Sequence, residues 1–305
     1  MVRMEKPFVL LHPPSANERH VVMSRFHQHS QRRKALIGGA VFAFLCVLVG
    51  SWVPVYRSYV TVASADALLA FIDRSAFHLD DQNWLLRKWI GDVYVSVNGE
   101  PTEDNLVQLE QAMSLLTRLT GHEFSIVDQK RAKFHIIFMP HDAVVETSQQ
   151  FNPVSYERLI KNRQPITDLR CYAEVTYGTD ENDQFYGSVY MVISTDLPQT
   201  NFRHALLRRL FLDGPEVSHH SCLMEEMMNA VGFFEDTGLL SPSAIYDYPS
   251  DQILSANDKL LIRALYDPRL KTGMARDEAL IIAKHVIEEL VAAYNEHGEE
   301  ALYQR

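Results

Sequence analysis

Nineteen consecutive residues without a charge, ALIGGAVFAFLCVLVGSWV from Ala35 to Val53, constrain this chain more than any other stretch. As a helix they are about long enough to cross the hydrocarbon core of a bilayer. Trp52 and Tyr56 stand at the far end, where aromatic rings favour the interface, and Arg32, Arg33 and Lys34 abut the near end. The positive-inside bias then places the N-terminus in the cytoplasm and everything after Tyr56 outside it. A buried core helix is the competing reading, and the one-sided basic flank argues against it. The leading segment is long, no small-x-small pattern closes the run, and Leu45 rather than a small residue precedes Cys46. A retained anchor is therefore expected, not a cleaved signal peptide or a lipoprotein.

The charge distribution agrees with that division. Of the 29 Lys and Arg residues, seven lie in residues 1–34 (Arg3, Lys6, Arg19, Arg25, Arg32, Arg33, Lys34), against only Glu5 and Glu18. The rest of the chain holds 22 basic and 37 acidic residues, a net charge of −15. An acidic body of this kind argues against general nucleic-acid binding. The expected organisation is a basic cytoplasmic segment (1–34), a transmembrane helix (35–53), a short stem (54–63) and one exported domain (64–305). Two cysteines, Cys171 and Cys222, fall in the exported part, where an oxidising compartment favours a disulfide. Two buried free thiols are the alternative.

Periodicity gives a coarse map of the exported part. Ser64 is placed to cap a helix through ADALLAFIDRSAF. Asp92 to Gly99 alternates Val93, Val95 and Val97 as a half-buried strand does, and ends in Asn98-Gly99. The next segment opens on Thr102, spaces Leu106, Leu109, Met113 and Leu116 along one helix face, and stops at Gly121. EFSIV, KFHIIFM and GSVYMVIS read as strands. Residues 142–183 are polar and broken by Asn152-Pro153 and Gln164-Pro165, which predicts loops and a short helix. Arg203 to Gly214, Ser218 to Gly232 and Ala275 to His297 read as helices. The fold class expected is α+β, a small mixed sheet with long helices.

The stretch MEEMMNAVGFFED, Met224 to Asp236, carries the functional question. Zinc peptidases of the metzincin type place His residues at i and i+4 so that both reach one metal from one helix face. A Glu beside the first primes the metal-bound water, and a Gly lets the chain turn toward a third ligand. On that pattern the base falls on Glu226 and the turn on Gly232, while the ligand positions hold Glu225, Asn229 and Glu235. None is histidine. The order continues with SAIYDY (Ser243 to Tyr248), where Tyr246 takes the place of the Met-turn methionine, and LSANDKLLIRALY (Leu254 to Tyr266). This part of the chain resembles a metzincin that has lost its imidazoles.

A closer resemblance is to the bacterial family of domain of unknown function 2927. It rests on Trp89, on Thr120-Gly121-His122, on Cys222 three residues before Glu225-Glu226, and on LYDPRLKTGM from Leu265 to Met274. The chain departs from that family's pattern at Asn229 and Glu235, and both substitutions stay polar. The resemblance supplies a family and no activity. Its bacterial character places the anchor in an inner membrane and the domain in the periplasm.

The expected site is accordingly a polar pocket of Glu225, Asn229, Glu235, Asp236 and Tyr246 around Glu226. Oxygen ligands of this kind suit Ca²⁺ or Mg²⁺ rather than zinc, and His219-His220 offers an alternative metal donor pair. No cofactor is expected. The leading reading is a non-catalytic binding or scaffolding module with an envelope protein or peptide as partner. The competing one is an atypical metal-dependent hydrolase using carboxylate ligands. Dinucleotide, phosphate-loop and G-x-S-x-G fingerprints are absent from the sequence. The topology makes a direct prediction: alkaline phosphatase fused after Arg305 will be active and a fluorescent protein that matures only in the cytoplasm will stay dark. The reverse pattern would overturn the orientation.

Overall fold

The computed structural model describes residues 59–77, 85–151, 170–176, 188–197, 218–234, 237–245 and 254–304. All of them belong to one compact unit, Arg57–Arg305. The apolar run 35–53 lies outside the described residues, and among those described no helix is long and apolar enough to cross a membrane.

A five-stranded sheet organises the unit. Its strands are β1 (Val93–Gly99), β2 (Phe124–Ile126), β3 (Phe134–Met139), β4 (Cys171–Thr176) and β5 (Ser188–Ser194), in the order β2-β1-β3-β5-β4. Four run parallel, and β4 alone runs antiparallel along β5, with Cys171 opposite Ile193 and Val175 opposite Val189. Six described helices accompany them: α1 (Ala65–Ser75), α2 (Glu103–Thr120), α3 (His141–Phe151), α4 (His219–Ala230), α5 (Ala256–Leu265) and α6 (Arg276–His297). The architecture is α+β with a mixed sheet.

Local chemistry explains the boundaries. Ser64 caps α1 by accepting from Ala67 N–H, and Thr102 and Asn105 satisfy each other's backbone donors in a capping box at the start of α2. Gly121 ends α2 in the left-handed region at φ 71°, where an L side chain would be strained. The pleat of β1 and β3 then turns Val93, Val95, Phe134, Ile136 and Phe138 to one face. That face shares a single core with Leu109 and Leu116 of α2, with Leu223 and Met227 of α4, and with Leu261 of α5.

One expectation changes. The polar segment 142–183 yields a strand at Cys171–Thr176, not only loops and a helix. Cys171, Ala173 and Val175 pack against the core at every second position, as in a strand. The inward residues are small, so the hydrophobic signal is faint. The last stem residues are also docked: Tyr294 Oη donates to Val60 O (3.2 Å) and Ala63 N–H to Asn257 Oδ1 (2.8 Å). The helix expected over 203–214 lies outside the described residues.

Cys171 and Cys222 form a disulfide, with their Cα atoms 5.9 Å apart and a sequence separation of 51. It ties the edge strand β4 to the first turn of α4. For a loop of that length the chain-entropy model assigns about 4 kcal/mol of stabilisation. The double variant Cys171→Ala/Cys222→Ala should lose that amount in chemical denaturation relative to the oxidised protein, and a loss under about 1 kcal/mol would show that the cross-link adds little.

Candidate functional site

Helix α4 carries the site, and both of its ends are fixed. At the start, Ser218 and Ser221 cap each other, Ser218 Oγ accepting from Ser221 N–H (3.1 Å) and Ser221 Oγ from Ser218 N–H (2.9 Å). At the end, a buried helix leaves carbonyls without intrahelical donors. Trp89 Nε1–H donates to Ala230 O (2.9 Å) and Tyr266 Oη to Val231 O (2.9 Å), while Tyr266 Oη accepts from Trp89 N–H (3.3 Å). Burial pushes the Tyr266 phenol far above its ordinary value, so it stays a donor at every relevant pH. Gly232 follows at φ 122°, and a Cβ there would lie 2.8 Å from Arg87 O. Glycine is the residue this turn can hold.

The segment around Trp89 is itself held by the LYDPRLKTGM stretch. Leu86 N–H donates to Met274 O (2.8 Å) and Gly273 N–H to Leu86 O (2.9 Å). Lys88 Nζ–H groups reach Leu265 O (2.9 Å) and Asp267 O (3.3 Å). Burial lowers the Lys88 ammonium to about 8, against the opposing pull of Asp267. Placed on the last carbonyls of α5, it offsets the negative end of that helix.

Within this frame Glu226 is buried, with 4% of its surface exposed, and accepts a hydrogen bond from Asn229 Nδ2 (2.9 Å). The two lie three residues apart on one helix face, so the contact follows from the helix itself. Asn229 Oδ1 is buried and has no hydrogen-bond partner among the described residues. Glu225 is half-buried on the same turn. Tyr172 on β4 is close enough to feel the charges of Glu174 and Glu226, which add to burial in pushing its phenol up to about 12. Glu235, Asp236 and Tyr246 lie outside the described residues.

His219 sits apart from this group. Its ring is buried, stacks on Phe138 at 5.7 Å between centroids, and meets Gln108 Oε1 through Nδ1 at 2.9 Å. Among the described residues no three His, Cys, Asp or Glu side chains cluster as a metal site would require. A Ser–His contact does occur, Ser96 Oγ to His135 Nδ1 at 2.8 Å, on the opposite face of the sheet. Ser96 is 2% exposed and also accepts from Asn98 Nδ2 (3.1 Å), an arrangement that holds the imidazole and gives a substrate no access to the hydroxyl.

A second buried carboxylate was not legible as such in the sequence. Asp258 accepts from Ser243 Oγ (2.6 Å), Ala244 N–H (3.2 Å), Ser255 N–H (2.9 Å) and Ser255 Oγ (2.9 Å). Burial raises its pKa and these four donors oppose the rise. The turn at Ser243 is thereby fastened to α5. The family model described as "Protein of unknown function (DUF2927)" matches residues 70–285. The chain belongs to that family. No curated protein matches it. In this DUF2927 domain the Trp89 and LYDPRLKTGM positions frame the end of α4, which gives both motifs a structural reason.

The buried imidazole of His219 sets a pH dependence. Burial, with His220 beside it, lowers its pKa from 6.5 to about 4. Between those values the unfolded chain binds the proton and the folded one does not, so stability falls as pH drops from 6.5 toward 4. The full effect is roughly 3 kcal/mol, with a further contribution of the same sign from His135, which burial also lowers. Denaturation midpoints measured across this window should decline, and His219→Gln should flatten the decline. An unchanged slope in a folded His219→Gln protein would remove the assignment.

Proposed function

We propose that this chain is an inner-membrane-anchored envelope protein, held through residues 35–53 with its N-terminus cytoplasmic. Its outer domain is a binding module on a metzincin-like frame, without that frame's catalysis. The observation that carries the reading is the Glu226–Asn229 contact. In a zinc peptidase the second of these positions holds an imidazole on the metal and the first leaves its carboxylate free for water. Here an amide occupies the ligand position and donates to the carboxylate, so the two side chains engage each other. Glu226 is an acceptor in a buried polar pair, poorly placed to take a proton from water.

The neighbourhood suits an extended peptide. Among the described residues β4 pairs with β5 alone and no other strand lies along its second edge. A peptide laid along that edge gains main-chain hydrogen bonds, with side chains reading the surface on either side. Helix α4 packs against β4 and is cross-linked to it, which holds the edge at a fixed distance from Glu226. A pre-organised edge of this kind lowers the ordering cost of binding.

The test uses the full chain in detergent against a library of extended peptides. Peptides should be retained at micromolar affinity, on the order of −8 kcal/mol, and recovered intact. Glu226→Gln, which keeps the shape, should change affinity by less than about tenfold. Peptide cleavage by the wild-type protein, lost in a folded Glu226→Gln variant, would replace this reading with the hydrolase.

A further inference from the structure

Strand β4 rests on the sheet through few buried atoms. Cys171, Tyr172, Ala173, Glu174 and Val175 are all half-buried, whereas Val189, Met191, Val192 and Ile193, paired with them on β5, are at most 1% exposed. Two of the three β4 residues packed on the core, Cys171 and Ala173, have small side chains, so little apolar area holds the strand. Tyr172 Oη is buried without a hydrogen-bond partner among the described residues, a cost incurred by seating the strand. Against these contacts stands the backbone entropy of six ordered residues. The disulfide to Cys222 is the covalent link that offsets it. Helix α4 does not need that link to stay in place, since the Ser218–Ser221 box closes one end and Trp89 and Tyr266 the other.

The two sulfurs differ in access. Cys222 is 0% exposed in the first turn of α4, while Cys171 opens the strand and is half-buried. Thiol exchange needs one reachable sulfur, and Cys171 supplies it. We propose that the disulfide is a redox latch, which holds β4 on the sheet when oxidised and, when reduced by a dithiol, lets the strand leave while the rest of the domain stays folded. A thiolate of the reductant attacks Cys171 Sγ; the S–S bond breaks, and its electron pair leaves on Cys222 Sγ, which takes up a proton. The second thiolate of the reductant then attacks the reductant's own sulfur in the mixed disulfide and releases Cys171 as a thiol. Two electrons have passed to the protein, and the dithiol has become a disulfide. Under the binding role proposed above, the docking edge exists in the oxidised form and is lost in the reduced one; that consequence alone rests on that role.

The experiment follows hydrogen exchange in the full chain in detergent, oxidised and after treatment with dithiothreitol. Residues 171–176 should be protected in the oxidised form and, once reduced, exchange within about a hundredfold of the unprotected rate, while residues 134–139 of β3 stay protected more than about a thousandfold. Cys171→Ala/Cys222→Ala should reproduce the reduced pattern without reductant. A strand that exchanges alike in both forms would overturn the proposal. Loss of protection in β3 as well would also overturn it, because the cross-link would then hold the whole domain. Reduced glutathione, a monothiol that can stop at the mixed disulfide, should be found on Cys171 by peptide mapping; an adduct on Cys222, or none on the folded protein, sinks the latch. Peptides retained by the oxidised chain should be released on reduction. If the oxidised chain retains none, or a chain whose β4 has left retains them still, the edge reading falls and the latch stands on its exchange pattern.

Discussion

Everything described around α4 depends on how the end of that helix is satisfied. A helix terminus inside a protein core leaves carbonyl groups that water cannot reach, and each one left bare costs of order 1–3 kcal/mol. Trp89 and Tyr266 solve this with an indole N–H and a phenol, from opposite ends of the domain's sequence, and bond to each other as they do so. The solution binds three segments at one point: the chain entering β1, the end of α4 and the end of α5. Gly232 lets the chain leave without a clash, and Lys88 covers the carbonyls of α5 beside it. A polar knot of this kind, once complete, specifies one arrangement of the core better than apolar contacts alone.

Two buried carboxylates divide the work in a way that the residue types do not announce. Asp258 takes four donors from the Ser243 turn and the α5 cap, and is a structural fastener. Glu226 takes the Asn229 amide of its own helix and lies near the phenol of Tyr172. The Ser243 turn is thus held by Asp258. Both acids are buried, and the donors gathered around Asp258 lower the cost of keeping it charged.

How much of this the sequence disclosed depends on whether the information was local. Strand β1 and helix α2 follow from alternation, spacing and caps, all within reach of a few residues. The Glu226–Asn229 contact is also local, being three residues apart on a helix. Strand β4 was hidden because its core-packed residues are small and the ones between them polar, so neither period stands out. The roles of Trp89, Tyr266 and Asp258 were hidden for a different reason. The partners of Trp89 and Tyr266 lie 141 and 35 residues away and the Ser243 partner of Asp258 lies 15 away, and nothing in a local window reports such distances, although the Ser255 contacts of Asp258 are a local cap. The LYDPRLKTGM stretch was recognisable as a motif, but its purpose became visible only once Leu86 and Met274 were seen bonded.

The same geometry explains how a metzincin-like helix could dispense with a metal, under the function proposed. In a metal enzyme the ligands help to place the helix that carries them, because binding free energy is also folding free energy. Here placement has other sources. The disulfide fixes the first turn of α4 to β4, the serine box closes its N-terminus, and the Trp89–Tyr266 pair closes the other end. The face between these points is packed by Met224, Met227 and Met228, side chains that fill irregular space without demanding one partner. None of these constraints involves the positions of Glu225 and Asn229. Imidazoles at those positions could therefore be lost without loosening the helix, and β4 would stay fixed beside it for a ligand held by hydrogen bonds instead.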